Sequence, residues 1–280
     1  GATPSGSISP TKGWRRGRSA DTIVLKLGGS VITVKDEPMT ADEGNVGRFA
    51  EEIAAAGLRR LVVVHGGGSF GHPVAKRYGI ADGFTSERQV LGFSKTHRAM
   101  VSLNSIVVDA LISLGVPAVS VAPSSFIVTD DGRMGAVDFD PVRRLVDRGA
   151  VPVLYGDAVL DRSRGFAILS GDQLAVRLAV ELGASRLVFG VDVDGVYTSN
   201  PKLAPGARLI ERLSLEKLRG LVEIGRALTT DVTGGMLGKV SEAAAAVEAG
   251  VEVVIVNAAE PDIILKALRG EAVRGTILVR

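Results

Sequence analysis

Short, mainly apolar runs rich in Val, Ile and Leu alternate with longer amphipathic segments along this chain from Thr22 onward. Ile23–Leu27 and Leu61–His65 have the length and the β-branched content of strands that are buried on both faces. Between them, Ala41–Gly57 places apolar residues at helical spacing and ends in a glycine, which predicts an amphipathic helix. Strands that alternate with helices in this way predict a largely parallel sheet covered on both faces.

The alternation continues through the rest of the chain, with two exceptions. Phe126–Val137 and Val159–Ile168 each carry turn-forming residues between alternating positions, so we predict two β-hairpins that project from the sheet. The remaining predicted strands are 118–121, 151–155, 187–191, 251–256 and 277–279, and the remaining predicted helices are 87–115, 172–182 and 235–250.

Composition and charge exclude several classes of protein. The 33 Lys and Arg residues nearly balance the 31 Asp and Glu residues, and a net charge of +2 does not indicate a nucleic-acid or membrane-surface protein. Aromatic residues are only 4% of the chain, so stacking surfaces for single-stranded nucleic acid are scarce. The absence of cysteine excludes disulfides, thiolate metal sites and a cysteine nucleophile. No apolar run has the length of a spanning helix, so we expect a cytoplasmic protein with no membrane or nucleic-acid partner.

Two glycine-rich turns, each directly after a predicted strand, are the strongest functional signal. The first is Lys26-Leu27-Gly28-Gly29-Ser30, and the second is HGGGSFGH from His65 to His72. Glycines after a parallel strand let the backbone turn sharply and bring bare N–H groups to an anion. A helix beginning just beyond, with Pro73 in its first turn, would add its dipole. Two such cradles at one sheet edge would hold two phosphates face to face; the alternative is a pair of tight turns without a ligand.

Neither glycine turn is a P-loop or a dinucleotide-binding fingerprint. Lysines accompany the turns instead: Lys26 precedes the first pair of glycines, Lys35 follows it, and Lys239 lies one turn into the helix opened by TGGM at 233–236. Any one of these lysines could be an ordinary solvated side chain. Three lysines, each next to a glycine turn, indicate a cationic clamp around transferring phosphates.

Three aspartates occupy comparable positions. Asp157 follows a strand, Asp172 begins a helix, and Asp192 lies in VDVDGVY at 191–197. Asp172 could instead serve only as a helix N-cap. The VDVDGVY turn lacks the further ligands of a calcium loop, so we predict that it contacts a nucleotide. We predict no protein metal site.

Taken together, these motifs resemble those of the amino acid kinase superfamily, from Thr22 to about Leu278. The narrower likeness, from His72 after Gly71 and from the DVTGGM run at 231–236, is to members that phosphorylate isopentenyl phosphate. Gln173 departs from the pattern, because relatives often carry a second acidic residue there. The resemblance is carried by KLGGSVITVK at 26–35, HGGGSFGHPVAKRYG at 65–79, SVAPSSF at 120–126, GD at 156–157, SGDQLA at 170–175, VDVDGVY at 191–197 and DVTGGMLGK at 231–239.

The resemblance implies an α/β fold: an open αβα sandwich with a mainly parallel central sheet, from which the two hairpins project. It implies transfer of the γ-phosphoryl group of ATP, with Mg²⁺, to isopentenyl phosphate, giving isopentenyl diphosphate and ADP, by a homodimer. We predict that residues 1–21 are a flexible basic extension, for which a nucleic-acid-binding arm is the alternative. Residues 22–171 would form an acceptor-binding lobe and residues 172–280 an ATP-binding lobe, sharing one continuous sheet.

Residue roles follow from the same resemblance. The implied catalytic residues are Lys26, Lys35, His72 and Asp172, and Asp157 and Asp172 would orient the lysines. The acceptor would be bound by Gly67, His72, Ser170 and Gly171. The nucleotide would be bound by Lys26, Gly28, Gly29, Ser30, Gly68, Asp192, Gly235 and Lys239. An apolar tail pocket could come from Met100, Leu103, Ile106 and Phe84, although these residues could equally be core.

This inventory suits phosphoryl transfer to a phosphate. A phosphate monoester has a second pKa of about 6, so its attacking oxygen is already anionic at pH 7 and needs no general base. The reaction then depends on positioning and on suppressing repulsion between anions. His65 and His97 are expected to serve structure. Two alternatives stay open: a kinase of the same fold for another phosphonate or carboxylate, such as a fosfomycin-kinase-like activity, and a non-catalytic nucleotide-binding protein.

Overall fold

The computed structural model describes residues 21–199, 204, 206–220 and 235–280. The predicted extension at residues 1–20 and the part of the DVTGGM run at 231–234 lie outside the described residues. The strands are β1 (Ile23–Leu27), β2 (Leu61–His65), β3 (Ala118–Ser120), β4 (Val128–Asp130), β5 (Arg133–Met134), β6 (Val151–Tyr155), β7 (Asp157–Asp161), β8 (Gly165–Leu169), β9 (Arg186–Val191), β10 (Arg212–Ser214), β11 (Glu252–Asn257) and β12 (Gly275–Val279).

An eight-stranded sheet forms the centre of the molecule, with the strand order β10-β12-β11-β9-β1-β2-β6-β3. Neighbouring strands are parallel except β11 and β12. β1 lies between β9 and β2, and all of its residues are buried. A central parallel strand with both faces covered needs apolar side chains on both, which explains its nearly continuous apolar sequence.

Helices cover both faces of this sheet. Successive strand residues point to opposite faces, so Val24 belongs to the apolar core on one face and Leu25 to the core on the other. The helices are α1 (Gly29–Ile32), α2 (Glu43–Ala56), α3 (Gly68–Tyr78), α4 (Arg88–Ser113), α5 (Asp140–Asp147), α6 (Gly171–Glu181), α7 (Gly235–Glu248) and α8 (Ile263–Arg269). The predicted αβα sandwich with a mainly parallel sheet is confirmed. No helix in the described part of the chain is long and apolar enough to cross a membrane.

The two predicted hairpins are present, but they do not project separately. β4 with β5 and β7 with β8 form the hairpins, and β4 also pairs in parallel with β7, which joins all four strands into a second small sheet. Asp161 binds the two turns together, because its carboxylate accepts hydrogen bonds from the Thr129 hydroxyl and from the backbone N–H groups of Gly132 and Arg164. Burial alone would raise the pKa of Asp161, but these hydrogen bonds lower it to about 2.

Helix α3 begins earlier than we predicted. Its first residue is Gly68, within the glycine turn, and Pro73 lies inside the helix instead of in its first turn. Pro73 has no N–H to donate to the carbonyl of Ser69 in the preceding turn, and that carbonyl accepts from the N–H of Met39 at 3.1 Å instead. The glycines of the second turn therefore form the start of the helix itself, where free N–H groups are concentrated.

Candidate active site

The two glycine turns touch at the carboxyl edge of the central sheet. The N–H of Gly66 donates to the carbonyl of Leu27 at 3.0 Å, and the N–H of Gly28 donates to the carbonyl of Gly190 at 2.9 Å. A Cβ atom on Gly29 would lie 2.1 Å from the backbone nitrogen of Gly68, closer than any side chain can approach. The predicted meeting of two cradles at one sheet edge is therefore present, and it needs glycine at the contact.

A carboxylate between two ammonium groups lies beside the turns. Oδ1 of Asp172 is 2.6 Å from Nζ of Lys26, and Oδ2 is 2.6 Å from Nζ of Lys239. The three side chains are largely buried, and Nζ of Lys239 also lies 5.2 Å from the ring centre of Phe189, in cation–π range. The structure thus brings together two predicted lysines and the predicted aspartate, in the contact that we expected of Asp172.

Burial and the charges of the neighbouring groups shift the pKa values in this cluster in opposite directions. Burial lowers the pKa of Lys26 to about 8, even though the Asp172 carboxylate favours the charged form. Burial would raise the pKa of Asp172, but the charges and hydrogen bonds of Lys26 and Lys239 lower it below its usual value. The cluster therefore keeps a net positive charge at neutral pH, next to backbone N–H groups.

Helix α6 positions Asp172. Ser170 is the N-cap of this helix, and its hydroxyl accepts from the N–H of Asp172 at 3.1 Å. The alternative that Asp172 is itself the N-cap is therefore wrong. Its carboxylate is left to contact the lysines, and the first helical turn also suits a negative side chain.

A cavity of about 250 Å³ extends from this charged cluster. Polar groups line it from Lys26, the glycine turns, His72, Asp157 and the Ser170-Gly171-Asp172 segment. Its other lining residues include Ala75, Thr96, Met100, Ile168 and Leu169. Partial burial and the nearby charge of Lys26 both lower the pKa of His72, although the ring keeps contact with solvent. A phosphate with a short hydrocarbon tail matches the polarity of this cavity.

The candidates for the tail pocket separate in the structure. Met100 lines the cavity, whereas Leu103 is fully buried in the core and Ile106 packs against that core. Phe84 is 47% exposed and packs edge-on against Phe166. Ile168 and Leu169, on the second hairpin, were missed as cavity residues, because nothing in their own sequence shows that the hairpin folds over the site.

Other predicted site residues lie outside the cavity wall. Lys35, Ser30 and Asp192 are exposed, and Gly235 is the first residue of α7. Gly28 and Gly68 belong to the touching turns, with Gly68 at φ 46°, a conformation that favours glycine. These placements leave the predicted nucleotide contacts untested.

Asp157 has a different partner from the one that we predicted. It lines the cavity, and its carboxylate lies 2.9 Å from Nδ1 of His97, where we had expected it to orient a lysine. His65 lies in the core, as expected: Asn104 Nδ2 is 3.1 Å from its Nε2, and burial lowers the pKa of His65 to about 4.

The fold and this anion-binding edge define a phosphotransferase of a known class. The chain belongs to the amino acid kinase family, whose model matches residues 21–257. It is similar to the isopentenyl phosphate kinase of Methanothermobacter thermautotrophicus, with 47% identity over 91% of this chain and 97% of that protein. It is also 38% identical to the isopentenyl phosphate kinase of Methanocaldococcus jannaschii, over 78% of this chain and 84% of that protein.

Solved structures agree with these relatives. An X-ray structure of an isopentenyl phosphate kinase superposes with a TM-score of 0.81 and 44% identity, over 91% of this chain and 99% of that one. A substrate complex of an isopentenyl phosphate kinase superposes with a TM-score of 0.75 and 31% identity, over 92% of this chain and 99% of that one. The narrower likeness read from the sequence is thereby confirmed.

Proposed function

We propose that this protein transfers the γ-phosphoryl group of ATP to isopentenyl phosphate, giving isopentenyl diphosphate and ADP. The observation that carries the proposal is one cavity lined both by the buried ammonium group of Lys26 and by apolar side chains. Lys26, His72 and the N–H groups near Gly67 would hold the acceptor phosphate. The apolar lining residues, with Met100 and Ile168, would form the wall around its five-carbon tail, here called the tail wall.

The chemistry needs little proton transfer. The attacking oxygen of the acceptor forms the new P–O bond to the γ-phosphorus while the bond to the β-phosphate oxygen of ATP breaks, and the departing oxygen leaves on ADP. Since the acceptor is largely a dianion at pH 7, the main barrier is repulsion between two polyanions. Lys26 and Lys239, already held by Asp172, would oppose that repulsion with charges that need no reorganisation.

The donor side is proposed to include Gly28, Gly29, Ser30 and Gly68 for the phosphates, with Lys35 moving in from its exposed loop. Asp192, Gly235 and Lys239 would contact the rest of the nucleotide. No group of three His, Asp or Glu side chains that could hold a metal occurs among the described residues. Mg²⁺ commonly keeps several waters and binds through substrate phosphates, so it would arrive with ATP and neutralise part of its charge.

The sheet order supports the proposed division into two lobes. Strands from the first lobe, β2, β6 and β3, lie on one side of β1, and strands from the second lobe, β9, β11, β12 and β10, lie on the other. The acceptor cavity lies near their junction, where Lys26 meets Asp172. The homodimer and the cytoplasmic location are proposed from the family resemblance alone; the sedimentation coefficient of the purified protein tests the first.

An acceptor panel with ATP and Mg²⁺, followed by coupled ADP release, tests the function. We expect the highest kcat/KM with isopentenyl phosphate and a progressive fall for shorter alkyl phosphates, at about 0.8 kcal/mol per buried methylene lost. Methyl phosphate is the matched control, because it keeps the head group and removes the tail. Preference for fosfomycin or a carboxylate would support the rival acceptors, and no ADP release with any acceptor would support a non-catalytic nucleotide-binding protein.

A further inference from the structure

A buried carboxylate faces a cavity whose other polar groups favour anions. Asp157 is the first residue of β7 and is 2% exposed, and its Oδ1 accepts from the N–H of Ala158 at 2.9 Å. Burial raises the pKa of Asp157, although the neighbouring His97 opposes that rise. A negative group on the wall of a phosphate site would repel its ligand, so its retention there needs a reason.

His97 is the partner that compensates this carboxylate. Nδ1 of His97 lies 2.9 Å from Oδ2 and 3.2 Å from Oδ1 of Asp157, which places the proton on Nδ1 as the donor. The hydroxyl of Ser124 is also 3.2 Å from this nitrogen. One imidazole edge therefore connects helix α4, the Pro123–Ser125 turn and the start of β7.

The contact connects cavity residues of α4 with the start of β7. On α4, His97 is flanked by Thr96 and followed one turn later by Met100, and both line the cavity. On the other side, Gly156 packs so closely on the start of α6 that a Cβ atom there would lie 3.1 Å from the nitrogen of Gly171. Gly171 directly precedes Asp172, which holds Lys26. A rigid connection thus runs from the tail wall to the ammonium cluster.

We propose that His97, acting through Asp157, is a positioning residue that fixes the spacing between the apolar wall and the charged end of the acceptor cavity. It touches neither the acceptor nor ATP, and it does not transfer a proton. Its function is to hold α4 at the distance that a short apolar tail needs, while keeping the Asp157 carboxylate from repelling the phosphate. This inference rests on the proposed function and deepens it.

The test compares His97→Ala with His97→Asn. The alanine variant should raise the acceptor KM about tenfold and leave the KM for ATP within about twofold, since its effect is confined to the acceptor side. It should also reduce the preference for isopentenyl phosphate over methyl phosphate, because the tail wall is no longer held. Asparagine can place its Nδ2 near the lost Nδ1 and should recover most of both losses.

Arg98→Ala is the matched control, because Arg98 is the next residue on α4 and its side chain contacts exposed Ser102. It should behave as the wild type. Unchanged acceptor kinetics and tail preference in His97→Ala would overturn the inference, as would equal losses toward ATP and acceptor, which indicate a general structural role. If His97→Ala does not fold, the ratio of the two acceptors in Asp157→Ala decides, and a wild-type ratio there overturns the inference. A wild-type enzyme inactive toward isopentenyl phosphate would instead overturn the proposed function.

Discussion

Lys26 and Lys35, two of the lysines proposed to act on the reacting phosphates, differ sharply in their surroundings. Lys26 is 5% exposed on the central strand, and its Nζ is held 2.6 Å from the Asp172 carboxylate. Lys35 is exposed on a loop closed by a hydrogen bond from the N–H of Val34 to the carbonyl of Thr40. One charge is therefore placed before any substrate arrives, whereas the other must be placed by the substrate.

The difference has consequences for how each lysine can be studied. The burial of Lys26 is offset by its pairing with Asp172, so its loss should change folding as well as turnover. The exposed Lys35 costs little to remove from the free protein, so its loss should appear only when phosphates are bound. The predictions below test this contrast, beginning with the largest expected effect.

Lys26→Met should give the largest loss. We expect kcat to fall roughly 10³-fold, the upper part of the range for removing one preorganised charge donor. The melting temperature should also change, because the buried charge cluster is rearranged. Steady-state ADP release and thermal unfolding of the same preparation measure both quantities. A variant with near-normal turnover would remove Lys26 from the phosphate site.

Lys35→Ala should lower kcat about 10²-fold while the melting temperature stays at the wild-type value. The loop is exposed, so the free protein has little to lose. Lys76→Ala, at another exposed lysine near the second glycine turn, is the matched control and should keep full activity. Turnover close to that of the wild type would exclude Lys35 from the mechanism.

Raising the pH should separate activity from stability. Lys26 loses its proton as pH rises through about 8, so kcat/KM should fall by up to about tenfold per pH unit above that point. Because the pKa of Lys26 in the folded protein lies below the ordinary lysine value of 10.5, the unfolded chain holds more protons between these two pH values, and the free energy of unfolding should rise there. The Lys26→Met variant should lose both trends. A wild-type kcat/KM that does not fall above about pH 8 would contradict the lowered pKa of Lys26.

His72→Ala should have the smallest effect of the four, a roughly tenfold loss that is confined to the acceptor. The ring lines the cavity but keeps contact with solvent, so it contributes one hydrogen bond to the phosphate without closing the site. Initial rates at varied isopentenyl phosphate and saturating ATP measure it. An unchanged acceptor KM and kcat would show that His72 does not contact the acceptor.

Local sequence signals were sufficient for much of the fold. Five-residue apolar runs such as Leu61–His65 are strands at the predicted residues, and the helix predicted at 41–57 is found at Glu43–Ala56, between the Asp42 cap and Gly57. Helices α5 and α8 were not predicted, because eight and seven residues are too few to show a helical period in the sequence. Their positions depend on packing against the sheet, which a local sequence pattern does not show.

Pairing over long sequence distances explains the remaining differences. Asp157 and His97 are 60 residues apart, so no local pattern connects them, and the family resemblance had assigned Asp157 to a lysine. The pairing of β4 with β7 depends on two hairpins meeting, and this contact brings Ile168 over the cavity. Lys26 lies in the central strand β1, whereas Asp172 follows β8 of the second sheet, so their contact was predicted by the family resemblance and not by their positions in one sheet.

The contact between Gly29 and Gly68 has a consequence for anyone who wishes to redirect this scaffold to new acceptors. A Cβ on Gly29 would lie only 2.1 Å from the Gly68 nitrogen, so the two turns are packed backbone against backbone and neither can be moved alone. A transplanted second turn would have to bring its own matching first turn, or the donor side would be displaced along with it. Redesign is better directed to Ile168 on the second hairpin, because Met100 packs against Gly67 and Gly71 of the second turn.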